Sequence, residues 1–206
     1  MAEFLLGFKE LADKLGPTVG QPLTDVHYWK TMYSDGIWEE FSEQYTTIGR
    51  MLWVRSINKA YFFPSGGPVP QSWGLPLYHP IILTQGFGDN PDWEIYRDYD
   101  GHHGVDLVSP DTRVLSVCDG FVRSIGILPD RPGRGNVIYT TSPVINRECH
   151  YYHLKDILID VGEPVKQGQV IGNFGDTGIV TGPHLHFGIY DTGRQKFEDP
   201  YRYIPL

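Results

Sequence analysis

Hydrophobic positions divide the chain into two patterns. Phe4, Leu5, Phe8, Leu11, Ala12 and Leu15 recur at intervals of three and four, and Gly16-Pro17 stops the run, which predicts an amphipathic helix. Beyond it the period shortens to short aromatic runs over 36–41, 49–53 and 60–63, which predict strands. Residues 1–63 therefore read as a small α+β module. The segment PSGGPVPQ has no periodicity and holds three prolines and two glycines, so residues 64–74 read as a linker. From residue 75 to 206 the pattern is mainly β. Strand-like runs lie over 114–118, 121–125, 136–141, 149–154 and 184–190. Turns such as Asp119-Gly120, Pro132-Gly133 and Val161-Gly162-Glu163-Pro164 separate most of them. The predicted fold class is thus mainly β, an antiparallel sheet domain preceded by a small mixed module.

Composition narrows the classes of partner. The chain has 206 residues with 24 Gly and 16 Pro, a surplus of turn formers that favours many short strands over a helix bundle. Seventeen basic against 25 acidic residues give a net charge of −8, which argues against nucleic acid as a partner and against adhesion to anionic polymers by charge alone. No apolar run approaches the roughly 18 residues that span a bilayer, so no membrane span is expected. The start, MAEFLLGFKELADKLG, places Glu3 before any basic residue and breaks its apolar run at Lys9-Glu10. The expectation is therefore no secretory signal. Cys118 and Cys149 have no metal-ligand spacing and sit in strand-like runs, which predicts buried free thiols.

The histidines carry the chemistry. In GHHGVDL, His102 and Asp106 are four apart, and in an extended strand even-spaced residues share a face, with His103 pointing the other way. In GPHLHFGIY, His184 and His186 also share a face, while Leu185 and Phe187 would face a core. Two histidines and a carboxylate from two strands suit a catalytic zinc, which takes three N or O ligands and keeps a fourth position for water. His184, together with His153 in YYHLKD, is then placed for proton transfer or oxyanion stabilisation. His150, three residues before His153, falls on the opposite strand face as a structural or surface residue. His27 and His79 have no partner pattern and read as surface residues. One of Tyr151 and Tyr152 would face the cleft or the packing around it. Trp29, Trp38 and Trp53 would build a small core in the first module or dock it on a substrate.

These residues carry a family resemblance. TQGFGDNP, GHHGVDL, VLSVCDGFV, YYHL, VGEPVKQGQVIGNFGDTG and TGPHLHFGI, in this order, resemble the lysostaphin-type zinc endopeptidases of peptidase family M23. The resemblance covers about 83–206 and ends on DPYRYI. It implies a lysostaphin-like antiparallel β domain with a groove and one zinc per chain. His102, Asp106 and His186 would be the zinc ligands, and His153 and His184 the catalytic pair. The implied activity is hydrolysis of peptide bonds in bacterial peptidoglycan, in the stem or the cross-bridge. With no signal expected, a phage-type lysin released by a separate route fits. The competing reading is a non-catalytic relative that binds or regulates at the wall, which would lack the metal. VGEPVKQGQVIG also resembles hairpins of biotinyl and lipoyl carriers, but no Met-Lys-Met triplet accompanies it.

Overall fold

The computed structural model describes four strands between residues 27 and 64 by their backbone, and residues 73–89, 101–142 and 147–206. The chain divides into two compact units, Met1–Gln71 and Ser72–Leu206. In the first, β1 (His27–Met32), β2 (Trp38–Thr46), β3 (Gly49–Val54) and β4 (Lys59–Pro64) form an antiparallel sheet in chain order. Its registers pair Trp29 with Phe41, Met32 with Trp38 and Ser42 with Trp53. The helix expected over 4–15 and the side chains of His27 and the three tryptophans lie outside the described residues.

The second unit is mainly antiparallel β. Its strands are β5 (Ile82–Gln85), β6 (Val105–Val108), β7 (Arg113–Leu115), β8 (Gly120–Ile127), β9 (Asn136–Ser142), β10 (Arg147–Ile157), β11 (Pro164–Val165), β12 (Val170–Phe174), β13 (Leu185–Asp191) and β14 (Lys196–Glu198). The main order is β11-β8-β9-β10-β13-β6-β5, with β12 joining β10 to β7 and β14 flanking β13. Two single 3-10 turns, Pro132–Arg134 and Pro200–Arg202, interrupt it. Among the described residues there is no α-helix.

Alternation along the central strands sets the position of the site. Val105 and Leu107 on β6, and Leu185, Phe187 and Ile189 on β13, are fully buried in one apolar core with Tyr151, Ile138 and Ile171. The intervening Asp106 and His186 pair across β6 and β13 and so emerge together on the other side. Trp73 and Gly74, which the sequence pattern placed in the linker, are built into this unit. The Trp73 ring lies 4.9 Å from that of Tyr203, and Gly74 N–H donates to the Val117 carbonyl. Cys118 and Cys149 are buried free thiols in the same core.

Candidate metal centre and catalytic cleft

His102 reaches the site from a loop, not from the strand that the spacing implied. β6 begins only at Val105, and residues 101–104 bend ahead of it. Gly101 has φ +94, and a Cβ there would come 2.5 Å from the Gly88 carbonyl oxygen, so only glycine lets the two backbones meet. The 86–89 turn then holds His102 from three sides. His102 N–H donates to Asp89 O at 2.9 Å, Gly88 N–H to His102 O at 2.8 Å, and the ring Nδ1–H to Gly86 O at 2.9 Å. A Cβ on Gly104 would lie 2.6 Å from His186 Nε2, so this glycine makes room for the second ring.

Three donor atoms converge. His102 Nε2 is 2.8 Å from His186 Nδ1 and 3.2 Å from Asp106 Oδ1, and His186 Nδ1 is 3.0 Å from the same oxygen. All three residues are buried. Gly86 takes the Nδ1–H of His102, so Nε2 is the atom that this ring turns to Asp106 and His186. A single cation can contact all three donor atoms. Zinc bonds of about 2.0–2.1 Å give tetrahedral ligand edges of roughly 3.3 Å, close to these separations, and an N,N,O donor set suits that ion. The residues present therefore fit such a metal.

The electrostatics keep these groups in ligand form. Burial disfavours the Asp106 carboxylate, but hydrogen bonds and charge from His102 and His186 outweigh it and hold its pKa well below the usual range. Burial pushes His186 down to about 3, against the pull of Asp106. Both therefore stay deprotonated at neutral pH and available to a metal.

His153 and His184 flank the cluster, their rings 4.8 Å apart. His153 arrives by a backbone irregularity. The β9–β10 register shifts between Tyr151 and Leu154, and His153 takes φ +63, in the left-handed region that non-glycine residues seldom enter. Its Nδ1–H donates to the Thr177 carbonyl at 2.9 Å. Burial, with some repulsion from His184, lowers its pKa to about 4. His184 stands just before β13, bridged to Gly175; its Nδ1–H donates to Gly182 O at 2.9 Å and its Nε2 lies 3.5 Å from Asp106 Oδ2. In both rings Nδ1–H is thus committed to a carbonyl, which leaves Nε2 as the atom that can exchange a proton. The Gly86, Thr177 and Gly182 carbonyls that set these tautomers are backbone groups, which leave no mark in the sequence pattern.

Tyr152, opposite His186 in the β10–β13 register, lies flat on it with centroids 4.7 Å apart and planes 3° apart. Tyr151 points into the core. His103 turns away and stacks on Phe197 at 4.8 Å. His150 is completely buried, paired with Glu148, and His79 is exposed.

The model of Peptidase family M23 matches residues 100–198, which span His102, Asp106, His153, His184 and His186. The catalytic domain of lysostaphin, from Staphylococcus simulans, is 31% identical, with a TM-score of 0.52 over 59% of this chain and 90% of that one. The chain belongs to peptidase family M23. The M23 match extends to the peptidoglycan DD-endopeptidase ShyC of Vibrio cholerae, 39% identical over 98 residues, 46% of this chain and 21% of that protein. It also extends to the catalytic domain, solved as a point mutant, of a prophage-encoded M23 protein, EnpA, of Enterococcus faecalis. That domain is 25% identical, with a TM-score of 0.50 over 61% of this chain and 92% of that one. The M23 chain spans between a fifth and a third of the length of the first curated relatives it matches. Among the described residues no helix is long and apolar enough to cross a membrane.

Proposed function

We propose that this M23 chain is a zinc metalloendopeptidase that hydrolyses peptide bonds of bacterial peptidoglycan, in the stem or the cross-bridge. The observation that carries the reading is the convergence of His102 Nε2, Asp106 Oδ1 and His186 Nδ1 beside two further histidines held in their basic tautomer. His102, Asp106 and His186 would hold one zinc. When bound, the metal supplies an acidified water, with a pKa near 7 in place of about 15.7, and polarises a carbonyl. His153 and His184 do the proton work. One takes a proton at Nε2, and the other donates from the same atom to the developing oxyanion or the leaving amine. Their Nδ1–H bonds to fixed carbonyls hold both rings in place through that exchange.

The peptidoglycan substrate is supported by the name of the Vibrio cholerae relative, and a phage-type lysin by the prophage origin of the Enterococcus faecalis neighbour. The test is digestion of purified peptidoglycans of different cross-link types by zinc-loaded protein, with fragments identified by mass spectrometry. New amino termini at one defined bond are expected. Intact cross-links in every wall type, from protein that holds no zinc, would favour the non-catalytic reading.

A further inference from the structure

Behind the donor cluster the next side chains inward are polar, where an apolar filling would be expected. Glu148, His150 and Tyr152 alternate along β10 and so share one face. The first two and Tyr139 on β9 are completely buried, and Tyr152 is 5% exposed. Tyr139 pairs with His150 in register and stacks on it at 4.1 Å.

The hydrogen bonds among them run one way. Arg134 at one end can only donate and the Glu148 carboxylate at the other can only accept, which sets the sense of the bonds between them. A carboxylate only accepts, so His150 Nε2–H donates to Glu148 Oε2 at 3.0 Å. Nδ1 then accepts from the Tyr152 hydroxyl at 2.6 Å. Tyr152 accepts from the Tyr139 hydroxyl at 3.5 Å, and Tyr139 from Arg134 Nη1. Arg123 Nη1 lies 3.5 Å from the other Glu148 oxygen. Each group from the Arg134 cation to the Glu148 anion donates to the next, a direction in which neighbouring bonds polarise and strengthen one another.

Tyr152 is where this chain meets the donor cluster. Its oxygen is held at both ends of the relay, and the Arg134 guanidinium lies 4.8 Å from its ring centre. Its ring plane is therefore fixed, and the parallel contact passes that orientation to His186. We propose that Tyr152 is a positioning residue for the metal centre: the chain from Arg134 to Glu148 locks its ring as a platform that keeps His186 Nδ1 facing Asp106 and His102. This rests on the reading of those three residues as metal ligands.

The experiment measures Zn(II) affinity by competition with a chromophoric chelator, and the visible spectrum of the Co(II)-substituted protein, for wild type, Tyr152→Phe, Tyr152→Leu and His186→Ala. Tyr152→Leu removes the platform and is expected to weaken zinc binding roughly 10–100-fold, the usual cost of losing an outer support of a metal ligand. Tyr152→Phe keeps the ring and loses its anchor; a several-fold loss with shifted cobalt bands is expected. Wild-type zinc affinity and an unchanged cobalt spectrum in Tyr152→Phe overturn the proposal, whether or not Tyr152→Leu folds. A wild-type protein that takes up no zinc overturns the metal-centre reading and this proposal with it. Zinc bound by wild type and lost in His186→Ala keeps that reading, so a silent Tyr152→Phe then counts against Tyr152 alone.

Discussion

The β10–β13 ladder carries a polar cluster at each end, and the two are built on opposite principles. Near Arg147, opposite charges meet. Arg147 Nη2 is 3.1 Å from Asp191 Oδ2, its Nε is 2.9 Å from Glu198 Oε2, and the Tyr203 hydroxyl donates to the same carboxylate. Arg194 adds a second cation, 3.4 Å from Glu198 Oε1. Five residues further along β10, about 17 Å at strand rise, Tyr152 and His186 mark the other end. There, the Asp106 carboxylate faces ring nitrogens of His102, His184 and His186. The first cluster contains permanent counter-charges and is complete as protein. The second is built from groups that can ligate a metal. Burial alone does not separate a structural polar cluster from a candidate site; the kind of group that meets the carboxylate does.

The sharpest way to break this contrast is to remove a member of the imidazole–carboxylate cluster. Asp106→Ala and His186→Ala should lose stoichiometric zinc, read by elemental analysis, and with it all measurable hydrolysis; retained zinc would move the metal elsewhere. Next in size, His153→Ala and His184→Ala should keep zinc while turnover falls roughly 10²–10³-fold, the scale of one proton-transfer or oxyanion group. Turnover at the wild-type rate in His184→Ala would remove that residue from the catalytic pair. At the other end, Arg147→Met should act on stability. It leaves Asp191 and Glu198 with Arg194 as their remaining cation, at a cost of about 2 kcal/mol, or roughly 7 °C in melting temperature for a unit of this size, with turnover of the folded fraction unchanged. A loss of turnover without a loss of stability would erase the distinction between the ends.

The smallest effect is in acid. In the metal-free protein His153 titrates at about 4 and His186 at about 3, both below the ordinary histidine value near 6.5. Between pH 6.5 and 4 the unfolded chain therefore binds protons that the fold refuses. Stability falls as pH falls through that window, and neither group contributes above it. His153→Asn, which tolerates the left-handed backbone, should flatten the fall when melting temperature is followed from pH 7 to 5. Equal slopes in variant and wild type would show that the fold does not depress His153.

The sequence pattern carried the antiparallel β class and the spacing of His102, Asp106, His184 and His186, because alternation is enough to put residues 106 and 186 on one face of a paired ladder. It placed His102 by the wrong means: Gly101 and the 86–89 turn deliver that ring from a loop, and strand periodicity does not describe loops. It could not show how His153 turns into the cleft, since a register shift with φ +63 depends on how β9 pairs with β10, not on residue type. It left Tyr151 and Tyr152 undivided, which the β10–β13 register resolves by setting Tyr151 opposite Phe187 and Tyr152 opposite His186. His150, read as structural or surface, is buried because Glu148 two residues away offers it a partner, and Trp73 belongs to the core because Tyr203, far along the chain, receives it.

The bonds from Gly86, Thr177 and Gly182 to the three imidazoles bear on how such a site drifts over evolutionary time. A carbonyl oxygen is encoded by every amino acid, so the contact that selects each tautomer is indifferent to the identity of the residue that supplies it. The loops around the cleft can exchange side chains, while the tautomers of its imidazoles are inherited through backbone shape.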